Sequence, residues 1–158
     1  MSDDDKKVKH LQENKKVVES FIELAWNKGR FNLARNLVRR DFKYHASLVN
    51  QTFGYDTAMQ VIQMIRQSMD DFEVILEEIV AEGDKVVTQS SFCGVLVKPM
   101  LGFKPTPNVV NLTAMSFWEM KKGEVQSVST LLDTAELMRQ MPHETKDLTV
   151  DMTDLTSK

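Results

Sequence analysis

The chain has 158 residues, 42% of them hydrophobic and 27% charged, with a formal net charge of -3. That length suits one domain with a sizeable core, and that balance excludes global disorder and collagen-like repetition. The slight negative charge argues against a nucleic-acid partner held by phosphate neutralisation, and no apolar run approaches the ~18 residues of a membrane span.

Residues 1–7 are acidic and then basic and read as a flexible N-terminal segment. From there, Val8, Leu11, Val18, Phe21, Ile22 and Ala25 recur at three- and four-residue steps, the stripe of an amphipathic helix. Gly29 supplies its stop, because glycine takes a positive φ without a Cβ clash. Asn32 suits the cap of a short second helix carrying Leu33, Ala34, Leu37 and Val38, and Asp41 to His45 reads as an extended segment leaving it. A third helix opens at Gly54 and Asp56, with Ala58, Val61, Ile62, Ile65 and Met69 on one face.

After Asp70-Asp71 the period changes to strands. Phe72 to Leu76 begins the first, Glu82-Gly83-Asp84 is a hairpin turn, and Val86 to Val97 is the second. Pro99 through Pro107 is a loop, Val109 to Met120 a third strand, Lys121-Lys122-Gly123 a turn and Val125 to Leu132 a fourth strand. Asp133 or Thr134 caps a last helix bearing Leu137, Met138 and Met141, which Pro142 ends. Hairpins without intervening helices predict an antiparallel sheet, and helices gathered at one end of the chain predict an α+β domain. The expected organisation is a domain over residues 8–141 and a polar C-terminal tail over 142–158; Val150, Met152 and Leu155 leave open an arm that docks on a partner.

These pieces, in this order, resemble the SnoaL-like polyketide cyclases of the nuclear transport factor 2-like superfamily. The resemblance runs from about Val17 to Met141. It is carried by Trp26-Asn27-Lys28-Gly29, Asp41-Phe42 with His45, Ala81 to Val86, Leu101 to Thr106, Gly123-Glu124-Val125 and Asp133-Thr134. It implies a cone: a strongly curved antiparallel sheet wrapped around N-terminal helices, enclosing an apolar cavity for a small hydrophobic or aromatic, polyketide-like ligand. It also implies a homodimer paired through the convex face, and catalysis without metal or cofactor.

The family resemblance places a pocket aspartate on the last strand as general acid/base, since a carboxyl in an apolar pocket has a raised pKa. Here Thr130 stands at that position, and a second family histidine falls at Ser116. Threonine hydrogen-bonds a carbonyl but does not titrate usefully. His45 is the titratable candidate that remains, a general base near neutral pH; alternatively it only bonds backbone at the cavity mouth. Tyr44 points to the opposite face of an extended segment, so only one of the two enters the cavity. Trp26, Met59, Met64, Gln89, Phe92, Ser116, Trp118, Val128 and Leu132 are the expected pocket lining. Core packing is the competing reading for the two tryptophans, a solvated strand face for Gln89, and a helix N-cap for Asp133.

The remaining motifs are negative. Cys93 is the single cysteine, so no intramolecular disulfide forms, and with no apolar signal region after residue 7 a cytoplasmic protein is expected. His10, His45 and His143 have no metal-ligand spacing with Cys93. No phosphate loop, nucleophile elbow or dinucleotide fingerprint occurs. Three readings stay open: a cofactor-free cyclase or isomerase using His45 with Thr130 or Gln89, a non-catalytic ligand-binding module, and a structural dimer.

Overall fold

Helix α1, Asp3–Phe21, opens on a reciprocal cap: the Ser2 hydroxyl accepts from the Asp5 amide at 3.1 Å, and the Asp5 carboxylate accepts from the Ser2 amide at 3.2 Å. The computed structural model describes residues 1–141 and Leu155. Residues 3–7, expected as a flexible segment, are thus the first turns of α1, because Ser2 and three acidic residues complement the helix N-terminus. The tail expected over 142–158 lies outside the described residues apart from Leu155, which is half-buried against the main core.

A π-helical turn, Ile22–Asn27, continues α1. The Lys28 amide reaches back five residues to the Glu23 carbonyl, and the Arg30 amide bonds the Leu24 carbonyl across Gly29 at φ +64°. Short helix α2, Phe31–Ala34, and one 3-10 turn lead into strand β1, Val38–Ala46. Strand β2, Gln51–Phe53, then precedes helix α3, Tyr55–Ser68. Strands β3, Met69–Glu82, β4, Lys85–Leu96, β5, Val110–Lys121, and β6, Glu124–Leu132, follow, and helix α4 is Thr134–Gln140. Asp133 is its N-cap, its carboxylate accepting from the Glu136 amide at 3.0 Å.

The strands make one six-stranded sheet in the order β2-β1-β6-β5-β4-β3, curved but not closed into a barrel. The α+β class and the curved sheet expected from the sequence are what the molecule has. Two strands exceed the four expected: Val38 to Ala46 is a full strand, and β2 pairs with it. All pairings are antiparallel except β1 with β6. Irregularities between Asp70 and Glu73, Leu76 and Glu78, and Glu119 and Met120 bend the long strands, as bulges do.

Alternation sorts the sheet into two faces. Val86, Thr88, Ser90, Trp118, Val125, Val128 and Thr130 are buried on the concave side, where α1 and α3 pack. Phe21 meets the edge of Trp118 at 5.6 Å and Phe42 at 6.0 Å, anchoring α1 to β5 and β1. Ile75, Met115, Phe117 and Leu131 are exposed on the convex side.

Candidate functional site

The space inside the curved sheet is not completely filled. Between α3, β1, β4 and β6 a cavity of about 100 Å³ remains, and a second of about 70 Å³ lies beside it. Leu48, Ile65, Phe92, Leu101 and Leu132 stand between the two and line both. Ala58, Val61, Ile62 and Ile65 bring the apolar face of α3 to the first cavity. Small Ala46 and Ala58 leave space there that a larger side chain would fill.

The aromatic wall is built by the end of the first helix. Trp26 meets Phe92 edge-on at 5.0 Å, and both pack on Phe72 at 6.1 and 6.3 Å. Trp26 is held from behind. Arg66 of α3 donates to the Trp26 and Asn27 carbonyls at 2.6 and 2.7 Å, satisfying acceptors that a helix end leaves free. The Asn27 side chain donates to the Val74 carbonyl at 3.0 Å and accepts from the Val74 amide at 2.8 Å, pinning the turn to β3.

The polar groups of the lining are hydroxyls. Tyr44 Oη and Thr130 Oγ1 are 2.9 Å apart, and Ser116 Oγ lies 2.8 Å from the same Thr130 oxygen. Ser47 also lines the cavity, and its hydroxyl accepts from the Leu132 amide at 3.2 Å. Burial pushes the Tyr44 phenol up to about 12, with the Thr130 hydrogen bond pulling the other way. Among the described residues, the cavity lining contains no carboxylate, imidazole, lysine or arginine.

Of the residues singled out in the sequence, Trp26, Phe92, Thr130 and Leu132 line this cavity. His45 does not. It sits on the other face of β1, where its Nδ1 meets the Thr52 hydroxyl of β2 at 3.0 Å, and Tyr44 takes the inward position. Strand parity decides this: buried Phe42 and Tyr44 point one way, and Lys43 and His45 the other. The Gln89 position is likewise reversed, because Thr88 and Ser90 are the buried members of β4 there.

Trp118 and Val128 are core residues away from the cavity, the indole N–H donating to Thr88 at 2.9 Å. Met59 is buried in the main core on the side of α3 next to Phe31 and Arg35, outside the cavity, and Met64 faces a polar groove with Gln60, Gln67 and Leu155. Ser116 reaches the site only through Thr130. Tyr44, not His45, lines the cavity, and the apolar pair Phe42 and Tyr44 at a two-residue step is the sequence signal for it.

No group of three or more His, Cys, Asp or Glu among the described residues could hold a metal ion. No helix among them is long and apolar enough to cross a membrane.

A sequence model of the family described as SnoaL-like polyketide cyclase matches residues 16–141, most of the chain. Among solved structures, a SnoaL-like protein from Jannaschia sp. CCS1 is 22% identical, with a TM-score of 0.73 over 81% of this chain and 90% of that one. IdmH from Streptomyces antibioticus is 18% identical, with a TM-score of 0.72 over 80% of this chain and 96% of its own. TsrD from Streptomyces laurentii is 20% identical, with a TM-score of 0.71 over 82% and 94%. Likeness at these identities carries the fold. No curated protein matches the sequence.

Proposed function

We propose that this chain, which belongs to the SnoaL-like polyketide cyclase family, serves as a binding module for a small, neutral, mostly apolar molecule held in the cavity between Trp26, Phe92 and Thr130. The observation that carries the reading is the lining: aliphatic and aromatic side chains with hydroxyls as the polar groups, and no titratable acid or base near neutral pH among the described residues. Acid-base closure of a ring needs a group that gives or takes a proton near the working pH. Tyr44, held up at about 12, does neither.

Size supports the same reading. An engineered apolar cavity of ~150 Å³ accepts benzene, whereas sites for drug-sized ligands run to roughly 300 Å³ and above. Cavities of about 100 and 70 Å³ that share Leu48, Ile65, Phe92, Leu101 and Leu132 together suit one ring or a short branched chain. A multi-ring skeleton requires several times that space.

The test is a titration with toluene followed by amide and indole shifts in the nuclear magnetic resonance spectrum. Saturable shifts at Trp26, Ala58 and Thr130, suppressed in an Ala58→Phe variant that fills the cavity, are expected. Shifts spread over the surface without saturation would remove the proposal.

A homodimer in the cytoplasm belongs to the same proposal. Met115 and Phe117 of β5 and Leu131 of β6, which pairs with Met115, form an exposed apolar strip across neighbouring strands, which a second copy of the same face would cover.

A further inference from the structure

We infer that Ser116, Thr130 and Tyr44 form a hydroxyl chain that ends in one unspent O–H donor at the cavity wall, so that the preferred occupant is a neutral single-ring molecule carrying a hydrogen-bond acceptor, an aryl ketone or aldehyde in class. The inference rests on the binding reading above and adds what the polar end of the site selects.

Each hydroxyl has one proton and two lone pairs. Three oxygens joined by two contacts, at 2.9 and 2.8 Å, use two of the three protons, and Thr130 cannot donate to both neighbours. Three arrangements are left. If both neighbours donate to Thr130, the threonine proton is free. If Ser116 donates to Thr130 and Thr130 to Tyr44, the phenol proton is free, and each donor polarises the next. If the chain runs the other way, Tyr44 donates to Thr130 and Thr130 to Ser116, and the free proton sits on Ser116. The first two place a donor on a residue that lines the cavity. A phenol oxygen gives up lone-pair density to its ring, so it donates better than it accepts; that disfavours the second arrangement and leaves the Thr130 proton of the first as the donor an occupant would meet.

An acceptor on the ligand selects the first arrangement and leaves no buried polar group unpaired. A carboxylate fares differently. It needs a cation or several donors when removed from water, and the described lining has neither lysine nor arginine. The chain therefore reads neutrality as well as an acceptor. Ser47 is a separate hydroxyl on the same cavity, and the test below distinguishes it.

The experiment is infrared spectroscopy of acetophenone labelled with carbon-13 at its carbonyl, bound to the full chain, beside titrations with cumene and benzoate. Cumene matches the shape of acetophenone without the oxygen. The expected result is a carbonyl stretch below its value in hexane. Replacing Tyr44→Phe and Thr130→Val together returns it to the hexane value and lowers the affinity for acetophenone relative to cumene by roughly five- to tenfold. Benzoate binds at least ~100-fold more weakly than acetophenone. A bound carbonyl at the hexane frequency, a shift that survives the double substitution, or benzoate bound as tightly as the ketone would overturn the hydroxyl-chain inference while leaving the cavity reading in place. Failure of both cumene and acetophenone to bind would overturn the cavity reading and the inference with it.

Discussion

Replacing Thr130 by aspartate returns a carboxyl to the position at which the family resemblance expects the acid, and the structure sets what that costs. Thr130 is buried at 8% exposure, and among the described residues no cation lines the cavity it faces. Desolvation alone raises a buried carboxyl by ~3 pKa units, and the two hydroxyls that now contact Thr130 take back about one by donating to the ionised form. A net rise of ~2 units puts the folded carboxyl near ~6 against ~3.9 unfolded. The folded state then keeps a proton that the unfolded state has lost. Stability is full below pH ~4 and falls as pH rises through ~6, by roughly 2.7 kcal/mol at pH 7.5. Urea denaturation of Thr130→Asp and of Thr130→Asn at pH 4.5 and 7.5 measures it. The asparagine variant loses the same stability at both values, and the aspartate variant loses ~1.8 kcal/mol more at the higher one, because ~0.9 of the ~2.7 kcal/mol is already lost at pH 4.5. A gap between the variants that stays constant across this range would mean that the site is wet, and would refute the reasoning.

Other consequences are as direct. Both tyrosines of the chain are pushed up to about 12, chiefly by burial. Tyrosinate absorbance at pH 11 should therefore be small in the native protein and large in urea, and stability should fall between pH ~10 and ~12, because the folded state keeps the phenol protons; native titration near ~10 would contradict the burial of Tyr44. Gly29→Ala should destabilise by ~1–2 kcal/mol in urea melts, since φ is +64° and a Cβ there would lie 2.8 Å from the Arg66 side chain that holds Trp26; unchanged stability would show that the Arg66 clamp is dispensable. Leu131→Asp, at an exposed position of the convex face, should turn a dimer into a monomer in sedimentation velocity, and a monomeric unmodified chain would remove the proposed pairing.

The helices and long strands were readable because each carries its own period. The Val18, Phe21, Ile22, Ala25 stripe and the Ala58 to Ile65 stripe mark buried helix faces, and Gly29, Gly83 and Gly123 sit at positive φ where the chain turns. Strand β2 has only three residues, too few to show a period, and its pairing with β1 follows from the turn at Ser47 to Asn50. The parallel join of β1 to β6 links residues more than 80 positions apart, which no local pattern records.

The site was legible in part for the same reason. Trp26, Phe92 and Leu132 could be placed at the cavity from their apolar character and their elements. His45 has the chemistry of a general base, but its direction is fixed by the parity of Phe42 and Tyr44, which turns it away from the cavity. Met59 and Met64 lie on either side of the α3 face that meets the cavity, so apolar character alone misplaces them. The size of the cavity depends on how closely α3 approaches β1 and β6, a three-dimensional gap with no signature in sequence.

The central claim is that a small apolar molecule occupies the space between Trp26, Phe92 and Thr130. Crystals equilibrated with bromobenzene vapour test it most directly, because bromine is located by its anomalous scattering. The account predicts one anomalous peak inside that cavity, absent in Ala58→Phe. Bromine found only on the convex face, or nowhere in the protein, would contradict it.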